Sequence, residues 1–401
     1  VWDAKGENNG SVTVGTGDHA DEDLDGKADD GDFNVAAGDD YVNKGGLDLT
    51  DAGNTVVEGT VTTGSGGDSK YDDVTLGTDG TLVVEAGGKE SGDILDMTGA
   101  DASEPNRDPW QVAEGGESHW NEVWGADGTN DGTIDIGRGG HEDADGDGKA
   151  DDEGDFRVES GDDFTNSGTM DLTDAGNTEV DGSITTGSGG ESKYDDLTVN
   201  PDGTVTVENG GHDIGDILDL TPGGQYAVDE GGKAGWNEIR LGKDDEHPEG
   251  GGSFDNNGDT TVDKVVVGEG AEFGNGGNLD GGELEIAEGG LVNIDGGKTD
   301  FDKTTVNRGG WLVVGNGEAP AAEDKAVFEA FVNCTAYNNA FDASVLKDDT
   351  VAWNNRDYFI NALGFMAEED ADSIADSLLT DFIDTADDTS SDGTSSDGTA
   401  D

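Results

Sequence analysis

The chain of 401 residues carries 94 Asp plus Glu against 20 Lys plus Arg, a formal net charge of −74, with 31% hydrophobic residues and 70 glycines. Self-repulsion of that size opposes compaction in dilute buffer, whereas at ~1 M salt the Debye length falls to about 3 Å and the repulsion is screened. So negative a surface excludes nucleic acid as a general partner, because a phosphate backbone has to be neutralised by cations, and it disfavours anionic lipid on the same ground.

The chain opens Val1-Trp2-Asp3 without a methionine, in phase with an internal junction at Val123-Trp124. That start reads as a processed, exported chain. Asn9-Gly-Ser11 and Asn333-Cys-Thr335 are glycosylation acceptor tripeptides, which points to a glycoprotein. Cys334 is the single cysteine and cannot close an intrachain disulfide. No run of about eighteen apolar residues occurs, so no insertion into a membrane is expected.

An acidic loop follows at Asp21-Glu-Asp23-Leu-Asp25-Gly26-Lys27-Ala-Asp29-Asp30. Beyond it come short apolar-alternating runs such as Val74-Thr-Leu76 and Thr81-Leu-Val-Val84, separated by turn formers such as Asp79-Gly80. Period-two runs of four to six residues predict strands. The same text then recurs. Asp171-Leu-Thr-Asp-Ala-Gly-Asn-Thr178 repeats Asp48-Leu-Thr-Asp-Ala-Gly-Asn-Thr55 at an offset of 171 − 48 = 123, and Ser192-Lys-Tyr-Asp-Asp196 repeats Ser69-Lys-Tyr-Asp-Asp73 at 192 − 69 = 123. Gly215-Asp-Ile-Leu-Asp219 likewise repeats Gly92-Asp-Ile-Leu-Asp96. A duplicated unit of this length implies a stacked architecture.

From Gly250 the repeat becomes plainer, with strand-sized runs at Thr261–Val267, Glu283–Ile286, Leu291–Ile294 and Trp311–Val314. The expected fold is mainly β: an elongated parallel β-solenoid (β-helix) with internal duplication. Tandem β-sandwich domains are the alternative, because Asp-Gly also makes hairpin turns. After Gly317-Glu-Ala-Pro320 the glycine punctuation ends, and Ile374, Leu378, Leu379, Phe382 and Ile383 fall on one helical face. The chain therefore divides into repeat units 1–123 and 124–239, a degenerate third repeat 240–317, a small C-terminal α or α/β cap or assembly domain 318–384, and a low-complexity acidic tail 385–401.

The second copy of the acidic loop reads Asp143-Ala-Asp145-Gly-Asp147-Gly148-Lys149-Ala-Asp151-Asp-Glu153. Alternating carboxylates followed by glycine wrap a short backbone around one hard cation that takes six to eight oxygens, so both loops are candidate Ca2+ sites. The ligands are Asp21, Asp23, Asp25, the Lys27 carbonyl, Asp29 and Asp32 in the first, and Asp143, Asp145, Asp147, the Lys149 carbonyl, Asp151 and Glu153 in the second. Position twelve of an EF-hand is filled by Asp32 in one copy and Gly154 in the other, and strand-like runs rather than helices follow. The two segments resemble thrombospondin type 3 calcium repeats, whose pattern D-x-D-G-D-G-x-x-D-x-E the second copy matches throughout. The first has Leu24 and Gly31 where that pattern has glycine and glutamate. Charge and composition together resemble surface β-repeat proteins of haloarchaea and halophilic viruses.

Carboxylates are too many for any pair to stand out as a catalytic dyad. His19, His119, His141, His212 and His247 share no motif, although His19 and His141 each sit two residues before an acidic loop. Trp2, Trp110, Trp120, Trp124 and Trp236 cluster at the repeat junctions, as core plugs or as a glycan platform. The expectation is a non-enzymatic, calcium-stabilised structural protein, extracellular, on the cell surface or on a virion surface, serving in filament or spike assembly or adhesion. Self-association or other surface or virion proteins would be its partners. A polysaccharide-acting or glycan-binding β-helix is the alternative. Far-ultraviolet circular dichroism should show β structure in ~3 M NaCl that is lost toward ~0.1 M, where the Debye length is about 10 Å. An unchanged spectrum and melting temperature in low salt would contradict the halophilic reading.

Overall fold

The computed structural model describes residues 1–314 other than 2, 15–31, 53, 101–107, 138–153, 243–250, 288, 295–297 and 307–310. Every regular element in this span is a strand. The chain separates into two compact units, Val1–Asn237 and Glu238–Asp401. The expected C-terminal domain 318–384 and tail 385–401 lie outside the described residues, as do His19, His141, His247 and Cys334.

Within the first unit each coil crosses three faces and returns one strand further on. Face 1 is a ladder of ten parallel strands in chain order: Gly6–Asn8, Asp40–Asn43, Thr60–Thr63, Thr81–Val84, Trp110–Val112, Gly128–Asn130, Asp163–Asn166, Ser183–Thr186, Thr204–Val207 and Gln225–Val228. Face 2 begins with Ser11–Thr13, Gly46–Leu49 and Asp68–Tyr71, and face 3 with Phe33–Val35, Thr55–Val57 and Val74–Leu76. Longer strands such as Lys89–Asp96 and Glu117–Trp124 run through faces 2 and 3 together. Hairpins would pair antiparallel, so the parallel ladders rule out the β-sandwich and establish a β-solenoid. The period-two pattern is what builds it. In Thr81-Leu-Val-Val84, Leu82 and Val84 point in and their neighbours out, and the turns between faces stay in water.

The duplication is a block of five coils. At the inward end of each face 1 strand the register stacks Asn8, Asn43, Thr63, Val84 and Val112, then Asn130, Asn166, Thr186, Val207 and Val228. The order Asn, Asn, Thr, Val, Val is read twice. Residues 101–107 enter ahead of the fifth coil of the first block, which shortens the offset from 123 to 228 − 112 = 116.

The asparagines sit in Asn-x-Gly turns and form internal ladders. Asn130 Nδ2 donates to Asn166 Oδ1 at 2.8 Å and to the Thr169 carbonyl at 3.0 Å, while its own Oδ1 accepts from the Gly132 amide at 3.0 Å. Asn166 passes the chain on to Ser192 Oγ at 2.9 Å. The first block repeats this from Asn8 to Asn43 and from Asn43 to Ser69 Oγ, both at 2.9 Å. Glycine two residues on is a packing requirement: a Cβ on Gly168 would lie 2.2 Å from the Gly132 carbonyl oxygen. Buried amides thus meet the rule that interior polar groups be hydrogen-bonded.

A second recurring device pairs glycine with a ring from the next coil. Trp120 lies over Gly92, whose added Cβ would meet the indole at 2.2 Å, and stacks on Tyr71 with centroids 5.6 Å apart. Trp236 covers Gly215 at the same 2.2 Å and stacks on Tyr194 at 5.7 Å. The second unit is built alike. Its face 1 strands Ser253–Asn256, Glu272–Asn275, Leu291–Ile294 and Trp311–Val314 are parallel and in register, with Asn256 Nδ2 donating to Asn275 Oδ1 at 2.7 Å. Nine-residue strands Asp259–Val267, Asn278–Ile286 and Lys298–Val306 carry the other faces, and Phe301 fills the space above Gly281. Gly215→Ala should cost about 1–3 kcal/mol by overpacking, seen as a lower denaturation midpoint. Gly215→Ala with Trp236→Leu should recover part of that loss, and no effect of Gly215→Ala would contradict the close packing.

Candidate cation-binding bend and buried carboxyls

The bend between faces 2 and 3 is where the first unit concentrates its carboxylates. Along Lys89–Asp96 the inward residues are Glu90, Gly92 and then Leu95, so the alternation slips at Asp93 and Ile94 and both stay on the outer side. One coil earlier the chain passes Tyr71-Asp72-Asp73-Val74. The Asp93 amide donates to the Asp72 carbonyl at 3.0 Å, which ties the two bends together. A carboxylate oxygen from each of Asp72, Asp73 and Asp93 then lies within 4.8 Å of the others.

The second block reproduces the group as Asp195, Asp196 and Asp216, at 195 − 72 = 123 and 216 − 93 = 123. There Asn237 Nδ2 donates to Asp216 Oδ1 at 2.5 Å. The counterpart in the first block, Asn121, is fully buried and neither atom of its amide has a protein partner among the described residues. Three carboxylates so close repel one another unless a cation sits among them, and an all-oxygen set suits a hard divalent ion.

The acidic loops are inserted at this same bend. The first joins Ser11–Thr13 of face 2 to Phe33–Val35 of face 3, and the second joins Thr133–Ile136 to Gly154–Val158. Asp21, Asp23, Asp25, Lys27, Asp29, Asp143, Asp145, Asp147, Lys149, Asp151 and Glu153 themselves lie outside the described residues. Asp32, expected at position twelve, closes the first insertion: its backbone carbonyl accepts from the Val1 amino group and its Oδ1 accepts from Asn54 Nδ2 at 3.2 Å. Asn9 is exposed, its Nδ2 donating to Glu7 Oε1 at 2.8 Å, and Asn333 lies outside the described residues.

Trp110, Trp120 and Trp236 are core residues, 0%, 0% and 3% exposed. A glycan platform made from them is overturned, because their rings are spent on interior stacking. Trp124 is partly buried and Trp2 lies outside the described residues.

The two most deeply buried carboxyls among the described residues have no precedent in the sequence reading. Glu90 is 1% exposed and Asp213 0% exposed, again at an offset of 213 − 90 = 123. Glu90 Oε1 accepts from Ser118 Oγ at 2.6 Å and from Trp110 Nε1 at 3.2 Å, and Asp213 Oδ2 accepts from the Tyr226 hydroxyl at 3.0 Å. Oε2 of Glu90 and Oδ1 of Asp213 have no partner among the described residues. Burial pushes both groups up to about 7, further than their hydrogen bonds hold them down. The signal in the sequence was an acid at an inward step of a strand, Lys89-Glu90-Ser91 and His212-Asp213-Ile214.

No protein-family model and no curated protein matches this chain. Among solved structures, a crystal structure of a TibC-catalysed, hyper-glycosylated TibA fragment is similar, with 18% identity over 73% of this chain and 93% of that one and a TM-score of 0.21. That likeness is too slight to carry any property from the fragment to this chain.

The interior carboxyls set a pH dependence. Unfolded, they ionise near pH 4; folded, near pH 7. Between these values the folded chain binds more protons, so stability falls as pH rises from about 4 through about 7 and levels off above it, by on the order of 3 kcal/mol for each group. Glu90→Gln with Asp213→Asn should flatten the melting temperature across pH 5 to 8 (~3 M NaCl, charges screened), mainly by raising it at pH 8. A slope equal to that of the wild type would contradict this origin.

Proposed function

We propose that the chain is a calcium-stabilised structural protein of a hypersaline environment, displayed outside the cell or on a virion and serving in filament or spike assembly or adhesion. One observation carries the reading. In both five-coil blocks a three-carboxylate group spans the third and fourth coils at the bend between faces 2 and 3, and the acidic loop joins a face 2 strand to a face 3 strand of the first coil, so a divalent ion at the three-carboxylate group would tie neighbouring coils together. Binding free energy at such a bend becomes folding free energy.

Calcium would be held by Asp143, Asp145, Asp147, the Lys149 carbonyl, Asp151 and Glu153, by the matching residues of the first loop, and by the groups at Asp93 and Asp216. A mechanical rather than catalytic role is supported by where the two most strongly raised carboxyls, Glu90 and Asp213, lie. The two carboxyls tuned to about 7 are sealed in the core, out of reach of a substrate. Regular ladders with water-facing turns suit a protein that presents surface and bears load. The exposed Asn9 suits a chain modified outside the cell. No helix among the described residues is long and apolar enough to cross a membrane.

Calorimetric melting in ~3 M NaCl, in chelator and then with rising calcium, tests this. Saturation at ~100 times Kd should stabilise by about 2.7 kcal/mol per site. Asp145→Ala/Asp147→Ala and Asp195→Asn/Asp216→Asn should each remove part of the rise. No calcium-dependent shift in the wild type would sink the metal reading. A strictly monomeric species in light scattering, at high salt with calcium, would sink self-assembly.

A further inference from the structure

The second unit carries a polar groove on the outer side of its face 1, about 650 Å³ in volume. Its floor is the strand Glu272–Asn275, in which Phe273 points inward and stacks on Phe254 at 4.9 Å. The outward positions along this strand and the turn after it are Glu272, Gly274 and Gly276, so over two steps there is backbone and no side chain. The neighbouring coils supply the walls. Asp255 and Asn293 stand in register on either side of Gly274. Ser253 and Asn257 extend the first wall. A Cβ added to Gly274 would meet Asp255 Oδ1 at 3.2 Å, and one added to Gly276 would meet Asn257 Oδ1 at 2.7 Å, so these side chains already lean over the trough.

The lining fixes the chemistry of a ligand. Asp255 and Glu272 offer carboxylate acceptors, Asn257 and Asn293 offer donors and acceptors together, Ser253 offers a hydroxyl, and no cationic side chain is among them. Anions are therefore repelled. An added peptide strand is refused too, because it needs a free sheet edge and the floor strand is paired on both sides. Complementary to this mix of acceptors, amides and hydroxyl is an uncharged chain rich in hydroxyl groups, each able to give a hydrogen bond to a carboxylate and take one from an amide. From Glu272 to Gly276 the floor runs four residue steps, about 13 Å at ~3.3 Å each, room for a short oligosaccharide. The volume falls within the range of small-molecule sites, and the laddered floor holds the walls at fixed spacing.

We infer that this groove is a binding site for a neutral oligosaccharide. It rests on none of the calcium reading, and either can fail without the other. Ligand-observed saturation-transfer NMR and titration calorimetry would be run on the full chain in high salt with calcium. The probes are linear tri- to hexasaccharides of glucose, mannose, galactose and N-acetylglucosamine, with an oligogalacturonate as the anionic counterpart. At least one neutral sugar is expected to bind and the oligogalacturonate is not. Gly274→Leu fills the trough at a position whose φ is not in the left-handed region and should weaken binding at least tenfold with the circular dichroism unchanged. Should that variant misfold, Asn293→Ala decides by the same loss. Failure of every neutral probe, preference for the anionic one, or binding untouched by these substitutions would overturn the assignment.

Discussion

Everything in this molecule answers to the in-register parallel stacking of its coils. Each side chain stands within about 5 Å of the residue at the same position one coil above and below. A column of like groups must therefore tolerate its own repetition. Valine and leucine do so without cost, and an amide does so by donating to the next amide, which is why Asn130, Asn166 and Ser192 can run through the interior. A column of carboxylates cannot. Most acids are turned outward into salt or gathered at the bend between two faces, and Glu90 and Asp213, deepest inside among the described residues, hold a proton into the neutral range. Exposed ion pairs such as Lys89 to Glu117 contribute little against a charge of −74.

Much of the fold was legible in the sequence because the solenoid writes its geometry there. Period-two runs gave the strands, and the offset of 123 gave the repeat. The division of that repeat into five coils was not legible, because the inward end of face 1 changes identity from Asn to Thr to Val while its place stays the same. Only the register shows that Asn43, Thr63 and Val84 are equivalent. The tryptophans were ambiguous for a related reason: an aromatic opposite glycine is a core plug when the glycine lies one coil away, and sequence spacing alone does not show that Gly92 lies beneath Trp120.

The candidate sites divide in the same way. The acidic loops stood out by their local pattern. The groups at Asp93 and Asp216 did not, because each is assembled from two coils and looks, in one dimension, like more of the same composition. Their parts had been seen, Tyr-Asp-Asp and Gly-Asp-Ile-Leu, as markers of duplication rather than as ligands. The groove over Gly274 is harder still to read in advance, since its defining feature is a missing side chain on one coil between Asp255 and Asn293 on two others.

The step from one five-coil block to the next is an ordinary ladder step, Val112 beside Asn130, with the register unbroken. A gene with one more copy of the block, or one fewer, would encode a chain in which every new neighbour is already a familiar one. Unequal recombination between the copies could thus lengthen or shorten the protein in whole steps without disturbing its interior, and reach becomes a trait that selection can adjust by counting.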